Sequence, residues 1–373
     1  MALMINIAFL ILLVYFIYKE ANSINKKLHE SILKNYFLLL IVSHFLMTLF
    51  HWYWSLEHGK DALSFFQRAV ITDSWLSLFG VGSTFVSFLI YPLVKIGINY
   101  FTLFVLFSVI SFYGFVNYFK LLLPYAISKQ HKIMCLLFLL PSLHFWSVSI
   151  SKDCLVFFLM SILLIYLKKS NYLMLVLIFI VIGFIRPHIV VMLIFAFVLI
   201  LLLEKKVDKK YLFLAVLGFI IGGYVMFKFI KFSSFSLEAI NQKLEQFNNY
   251  SLKSGKSHID LFKTSYVERI FALLFRPLFT EAVTVFQFLA SIENIIMLLT
   301  LVYLFVKNKL RFRSISIEVK YALIVSVLLI LLISTYIYNL GLASRMRLMI
   351  YPYLIYGLCL TMKEKNTYEK ETN

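Results

Sequence analysis

The chain has 373 residues, of which 62% are hydrophobic, 18% aromatic and only 14% charged, and its formal net charge is +18. No soluble domain of this length carries so much apolar surface with so few charges, and repeated apolar runs of about fifteen to twenty-five residues are the signature of membrane helices. The basic residues fall in small clusters between those runs, as in cytoplasmic loops, which argues against a nucleic-acid partner.

In chain order, residues 2–18 read as a first span. It lacks a basic leader and a small-residue cleavage site, so a retained helix is expected rather than a signal peptide. Four lysines between Lys19 and Lys34 read as cytoplasmic, which puts the N-terminus outside and, by alternation, the C-terminus inside. A second span over 35–54 closes on the interfacial aromatics Trp52, Tyr53 and Trp54, and a polar loop from Ser55 to Ser74 follows. Residues 76–96 are moderately apolar but hold Gly80, Gly82 and Pro92; a full crossing would invert every later loop, so a re-entrant or interfacial hairpin is expected. Further spans follow at 98–119, 133–149, 154–167, 171–185, 189–203, 211–230, 282–306, 320–338 and 348–362, about eleven in all. The inside loops then hold Lys120, Lys129 and Lys132, then Lys168 and Lys169, the stretches Glu204 to Lys210 and Lys307 to Lys320, and the tail from Lys363.

The expected fold is thus all-α and polytopic, one transmembrane domain over 1–373 with a long extracytoplasmic loop at 231–281. Within that loop Glu238 to Tyr250 has helical polar patterning and Ser251 to Lys256 reads as a turn. A lid or substrate flap is the natural role for such a loop. Cys135, Cys154 and Cys359 lie singly in apolar runs, without metal spacing or a disulfide framework.

This topology gathers the isolated polar motifs at the outer face: Asp61, Lys152-Asp153, Arg186-Pro187-His188, Arg276-Pro277, Glu281 and Arg345-Met346-Arg347. The spans at 154–167, 171–185 and 189–203 would rise only about 21–22 Å, against a hydrocarbon core of about 30 Å. Their polar ends are therefore expected to line an outward cavity, with Ser147 to Asp153 in its floor, because charges facing lipid are costly. Plainer readings stand beside this one. Ser151 or Asp153 caps a helix, Lys152 snorkels, Arg186 anchors a helix end, and Arg276-Pro277 marks a helix start. His188 can be structural, and Arg345 and Arg347 can be interface anchors. Several arginines with a few carboxylates suit an anionic, membrane-bound substrate, since guanidinium forks bind phosphate oxygens in pairs and stay charged. Asp61, Asp153, Glu281 or His188 would then take the proton of an attacking sugar hydroxyl. No phosphate-binding loop, zinc-protease helix, nucleophile elbow or paired-cysteine site is present.

Several runs resemble those of bacterial surface-polysaccharide proteins. They are Pro141 to Ser147 with Ser151-Lys152-Asp153, Ile185-Arg186-Pro187-His188, Phe275-Arg276-Pro277-Leu278-Phe279 with Glu281, Glu293-Asn294, and Asn339-Leu340-Gly341 with Arg345, Arg347 and Pro352. The chain is similar to O-antigen and capsule polymerases, which join polyprenyl-pyrophosphate-linked repeat units outside the inner membrane. It also resembles membrane glycosyltransferases of the GT-C type that use polyprenyl-phosphate sugars. Gly59-Lys60-Asp61-Ala62 is similar to the acidic motif of their first outer loop, although Phe65 and Phe66 stand where an aromatic phenol is often expected. The resemblance implies transfer on a lipid-linked oligosaccharide, with Asp61, Asp153 and His188 as catalytic candidates. Lys152, Arg186, Arg276, Glu281, Arg345 and Arg347 are then candidates for binding. It implies a polyprenyl-linked sugar, membrane lipid and other assembly proteins as partners. No cofactor is evident, a divalent metal entering only in the GT-C-type case. A lipid-linked-sugar flippase is the rival reading, against which no inverted repeat or matched pair of broken helices is visible.

Overall fold

A computed structural model describes residues 2–58, 60–125, 135–204, 209–230, 236–252, 257–307 and 315–361. Lys129, Lys132, most of the expected turn at Ser251 to Lys256, and the tail from Lys363 lie outside them. The architecture is all-helical: α1 (Ala2–Asn25), α2 (Ser31–His58), α3 (Lys60–Ile71), α4 (Ser83–Lys95), α5 (Tyr100–Leu122), α6 (Pro141–Ser147), α7 (Lys152–Lys168), α8 (Tyr172–Ile185), α9 (Pro187–Leu203), α10 (Lys209–Ile230), α11 (Leu237–Ser251), α12 (Tyr266–Phe275), α13 (Val285–Lys307), α14 (Ile317–Tyr336) and α15 (Leu340–Thr361). Among the described residues six helices are long and apolar enough to cross a membrane: α1, α2, α5, α10, α13 and α14. They become seven if α6 and α7, bent by 109°, form one broken span. The chain is a helical membrane protein.

The structure departs from the expected map where local chemistry overrides hydropathy. The described part of the run 133–149, from 135 on, is not one helix: a 3-10 turn at Leu136–Leu139 precedes α6, which starts at Pro141. Proline fits a first helical turn and would break an interior one. The expected polar loop from Ser55 to Ser74 contains α3, whose Ala62, Phe65 and Ala69 enter a buried apolar cluster. Their spacing of three and four is that of one helical face. Residues 76–96 hold a 3-10 turn (Leu76–Leu78) and then α4. Its thirteen residues rise about 20 Å, too little to cross alone. In the loop 231–281 the helix expected over Glu238 to Tyr250 is present as α11, and a second, α12, was not expected. Finally, α15 begins eight residues before the expected 348, so Arg345 and Arg347 lie within a helix rather than ahead of one.

The chain forms two compact units: residues 1–121 with 138–245, and residues 122–137 with 246–373. In the first, α2 packs on α3 and α6, α3 on α4, α4 on α8, and α7 to α10 pack in succession. Its apolar cluster joins α3, α4, α5 and α7 with Val148 and Ile150 of the segment between α6 and α7. In the second unit α12 packs on α13, α14 and α15, and α14 on α15. Every residue of α15 from Met346 to Leu360 is buried, as expected of a helix surrounded by others.

Close approach of α5 and α7 depends on Gly114, where an added Cβ would lie 2.6 Å from the Phe157 ring. Phe157 is fully buried and has nowhere to move, and small residues are what let membrane helices approach. Gly114→Ala should therefore destabilise the protein by about 1–3 kcal/mol, the usual cost of overpacking, read as a lowered unfolding temperature in detergent. An unchanged melting curve would show that this interface is loose.

Candidate functional site

In the first unit, three short polar segments meet. Ser151 caps α7, its hydroxyl accepting the Cys154 N–H at 3.2 Å, which satisfies one orphan donor of the helix start. Asp153 in that first turn forms an ion pair with Arg186. Arg186 ends α8 and precedes Pro187, the first residue of α9. Helix α4 also starts here. Gly82 adopts φ +81°, a conformation open to glycine, and its N–H donates to Phe184 O at 2.7 Å. Lys152 Nζ donates to Ser83 Oγ at 3.3 Å. The charges of Arg186, Lys152 and Asp153 all act on the His188 imidazole. Thus the N-termini of α4, α7 and α9 converge around Lys152, Asp153, Arg186 and His188. Asp153 is 1% exposed and Arg186 7%, so the ion pair is a buried base, whereas Lys152 and His188 are half-buried.

The segment leading into this site is held by contacts that sequence reasoning passed over. Along α2, His44, Thr48, His51 and Ser55 are all buried; they recur at four, three and four residues, which is one helical face. His44 Nε2 lies 2.9 Å from the Ser108 carbonyl, which can only accept, so this nitrogen carries the proton. In the neutral ring His44 Nδ1 then accepts from His144 Nδ1 at 2.9 Å. His51 Nδ1 donates to Phe145 O at 2.6 Å, and its ring stacks on Phe145 with centroids 4.1 Å apart. Two imidazoles of α2 therefore clamp α6, and α6 delivers Ser147 to Ser151. The signal was present as polar residues at helical spacing inside an apolar run, without a charge to draw attention to it.

The second unit gathers the later motifs. Helix α12 opens with a capping box between Ser265 and Glu268 and ends at Arg276, so Arg276-Pro277 closes a helix rather than starting one. Arg347 satisfies the carbonyls left at that end. Its Nε donates to Leu273 O at 2.7 Å, Nη2 donates to Ala272 O at 3.3 Å and also to Arg276 O, and Nη1 donates to Asn294 Oδ1 at 2.5 Å. Asn294 Nδ2 donates to Pro277 O at 2.8 Å, and the Tyr351 hydroxyl donates to Leu274 O. Cations and donors at a helix C-terminus are favourable because the last carbonyls lack partners. Arg347 is 1% exposed and all three of its nitrogens serve the protein.

Arg276 itself turns outward. Its Nε lies 2.6 Å from Glu281 Oε1, while Glu281 Oε2 accepts the Leu278 N–H at 2.9 Å. The side chains are 30% and 26% exposed. Partial burial pushes the Glu281 carboxyl up, but its bonds to Arg276 and to the Leu278 amide outweigh this and hold it below the ordinary glutamate value. Arg345 is half-buried in α15, and Asp61 is exposed in the first turn of α3. The structure thus brings Lys152, Asp153, Arg186 and His188 together in one unit and Arg276, Glu281 and Arg347 in the other. Among the described residues no three His, Cys, Asp or Glu side chains are grouped to hold a metal. No family model, curated protein or solved structure matches this chain.

Removing one member of a buried ion pair strands the other, at about 3–5 kcal/mol. Asp153→Asn should therefore lower the unfolding temperature more than the double change Asp153→Leu with Arg186→Met, which buries no charge. Equal melting of Asp153→Asn and wild type would show the pair to be solvated. For Glu281, the depressed titration means that its ionised pair contributes stability above the range where a free glutamate titrates. That contribution is lost as pH falls through its folded value. The melting difference between wild type and Glu281→Gln should be present at neutral pH and vanish in acid; a constant difference would exclude the ion pair as its source.

Proposed function

We propose that this chain is a membrane glycosyltransferase of the bacterial inner membrane, joining polyprenyl-pyrophosphate-linked oligosaccharide units at the outer face. The carrying observation is the convergence of three helix N-termini, those of α4, α7 and α9, around the buried Asp153–Arg186 pair. Helix N-termini present unpaired N–H groups and a positive dipole end, which favour an anion. Lys152 and Arg186 add fixed positive charge among apolar helices, where an intramembrane cation is costly unless it has a task. A pyrophosphate leaving group is the kind of developing charge that such a preorganised site stabilises.

In this reading an acceptor hydroxyl attacks the anomeric carbon of the donor sugar. The new glycosidic C–O bond forms as the bond to the lipid pyrophosphate breaks, and the leaving pyrophosphate keeps the electron pair. Lys152 and Arg186 bind that pyrophosphate. Asp153, engaged by Arg186, fixes the guanidinium, while His188 takes the hydroxyl proton.

The test uses the full chain in proteoliposomes with lipid-linked repeat units. Polymer ladders are expected from wild type, with output lowered about 10²-fold in Lys152→Ala, the scale seen when one transition-state donor is removed. Movement of lipid-linked sugar between leaflets without elongation would overturn the proposal in favour of a transporter.

A further inference from the structure

Helix α1 is the least committed apolar span of the first unit outside α10, with 11% of its apolar window buried. It is tied down at a few points. The Asn6 amide donates to Gly97 O at 2.8 Å and its carbonyl accepts the Asn99 N–H at 2.9 Å. Leu13 and Ile24 are buried, and Glu20 pairs with Lys120. Ile5 and Phe9 pack against the apolar cluster, and another side of its first half is an exposed apolar face that includes Leu3, Met4, Ile7, Ile11 and Val14.

That face runs directly into a different surface. Tyr15, Tyr18, Lys19, Ser23, Lys26 and Lys27, with Asn22, line a shallow, open concavity of about 420 Å³ formed by α1 and the turn that follows it. Tyr15, Tyr18, Lys19, Asn22 and Ser23 recur at helical spacing and share one side of α1, and Lys26 and Lys27 follow in the turn at its end. Three lysines line it and no carboxylate does; the nearby acid, Glu20, is engaged by Lys120. Tyrosines at the change from apolar to basic mark the level of the headgroups, and lysine stems can lie along apolar surface while their ammonium groups reach water.

We propose that this concavity binds the headgroup of an anionic phospholipid of the surrounding leaflet, with its acyl chains along the exposed face of α1. The phosphate would meet Lys19, Lys26 and Lys27, with Ser23 and Asn22 as hydrogen-bond donors. A soluble anion would gain only lysine charges screened by water and salt. A lipid anion gains the adjoining apolar face as well. A choline headgroup would set its own cation against the three lysines. Each basic side chain near a membrane surface strengthens anionic-lipid binding about five-fold, so three give about 10²-fold.

The experiment is native mass spectrometry of the full chain released from detergent, titrated with phosphatidylglycerol, phosphatidylcholine or glycerol phosphate. Wild type should retain phosphatidylglycerol about 10²-fold more strongly than the triple variant Lys19→Gln, Lys26→Gln, Lys27→Gln, and should not retain glycerol phosphate. These lysines are exposed, so unfolding in phosphatidylcholine micelles should be unchanged. A second variant, Lys168→Gln with Lys169→Gln, removes charge at the exposed end of α7 and should leave retention intact. Equal retention by the triple variant overturns the proposal. So does an equal loss in the second variant, which would make net charge the cause, or glycerol phosphate binding as tightly as the lipid.

Discussion

A helix that ends among apolar neighbours leaves backbone N–H and C=O groups that only the protein can satisfy, because lipid offers no partner. The polar residues of this chain are largely answers to that constraint. At the start of α7 the Ser151 hydroxyl takes the Cys154 amide. In the last turn of α6, His51 reaches the Phe145 carbonyl. At the end of α8 the Gly82 amide meets Phe184 O. At the end of α12, Arg347, Tyr351 and Asn294 between them serve the carbonyls of Ala272, Leu273, Leu274, Arg276 and Pro277.

Once the breaks are secured, charge follows. Arg186 sits where α8 gives way to α9, and its guanidinium in an apolar surrounding needs a counter-charge; Asp153, in the first turn of α7, supplies one. Ser151 caps the helix, and Asp153, inside its first turn, turns to Arg186. The resulting pair is buried, which sets it apart from Lys152 and His188 beside it. In the proposed reaction Asp153 fixes the Arg186 guanidinium toward the pyrophosphate, and the half-buried Lys152 and His188 face the substrate beside it. The same division holds in the second unit, where Arg347 is consumed by the fold and Arg276 with Glu281 faces outward.

Much of this was legible in the residues. Apolar runs separated by lysine clusters identify a helical membrane protein, and the short runs around Lys152-Asp153 and Arg186-Pro187-His188 match α7, α8 and α9 to within a few residues. The Arg276, Glu281, Asn294 and Arg347 motifs, scattered over some seventy positions, proved to be one hydrogen-bonded cluster. Less was legible where polarity and helix coincide. The amphipathic α3 read as a loop because its charges outweigh three small or aromatic contacts, Ala62, Phe65 and Ala69. Helix α15 read as starting late because Arg345 and Arg347 lower its hydropathy.

By itself, then, the sequence determined that the chain is helical and membrane-embedded, and where most helices stop, because hydropathy, proline and cluster charge act locally along the chain. The tertiary structure alone decided what each polar group is for. Arg186 and Arg347 carry the same charge in similar apolar surroundings. One turns to a carboxylate 33 residues away, the other to helix carbonyls more than 70 residues away. A guanidinium takes whichever acceptors the packing leaves unsatisfied, and those are defined by helix ends brought together in space.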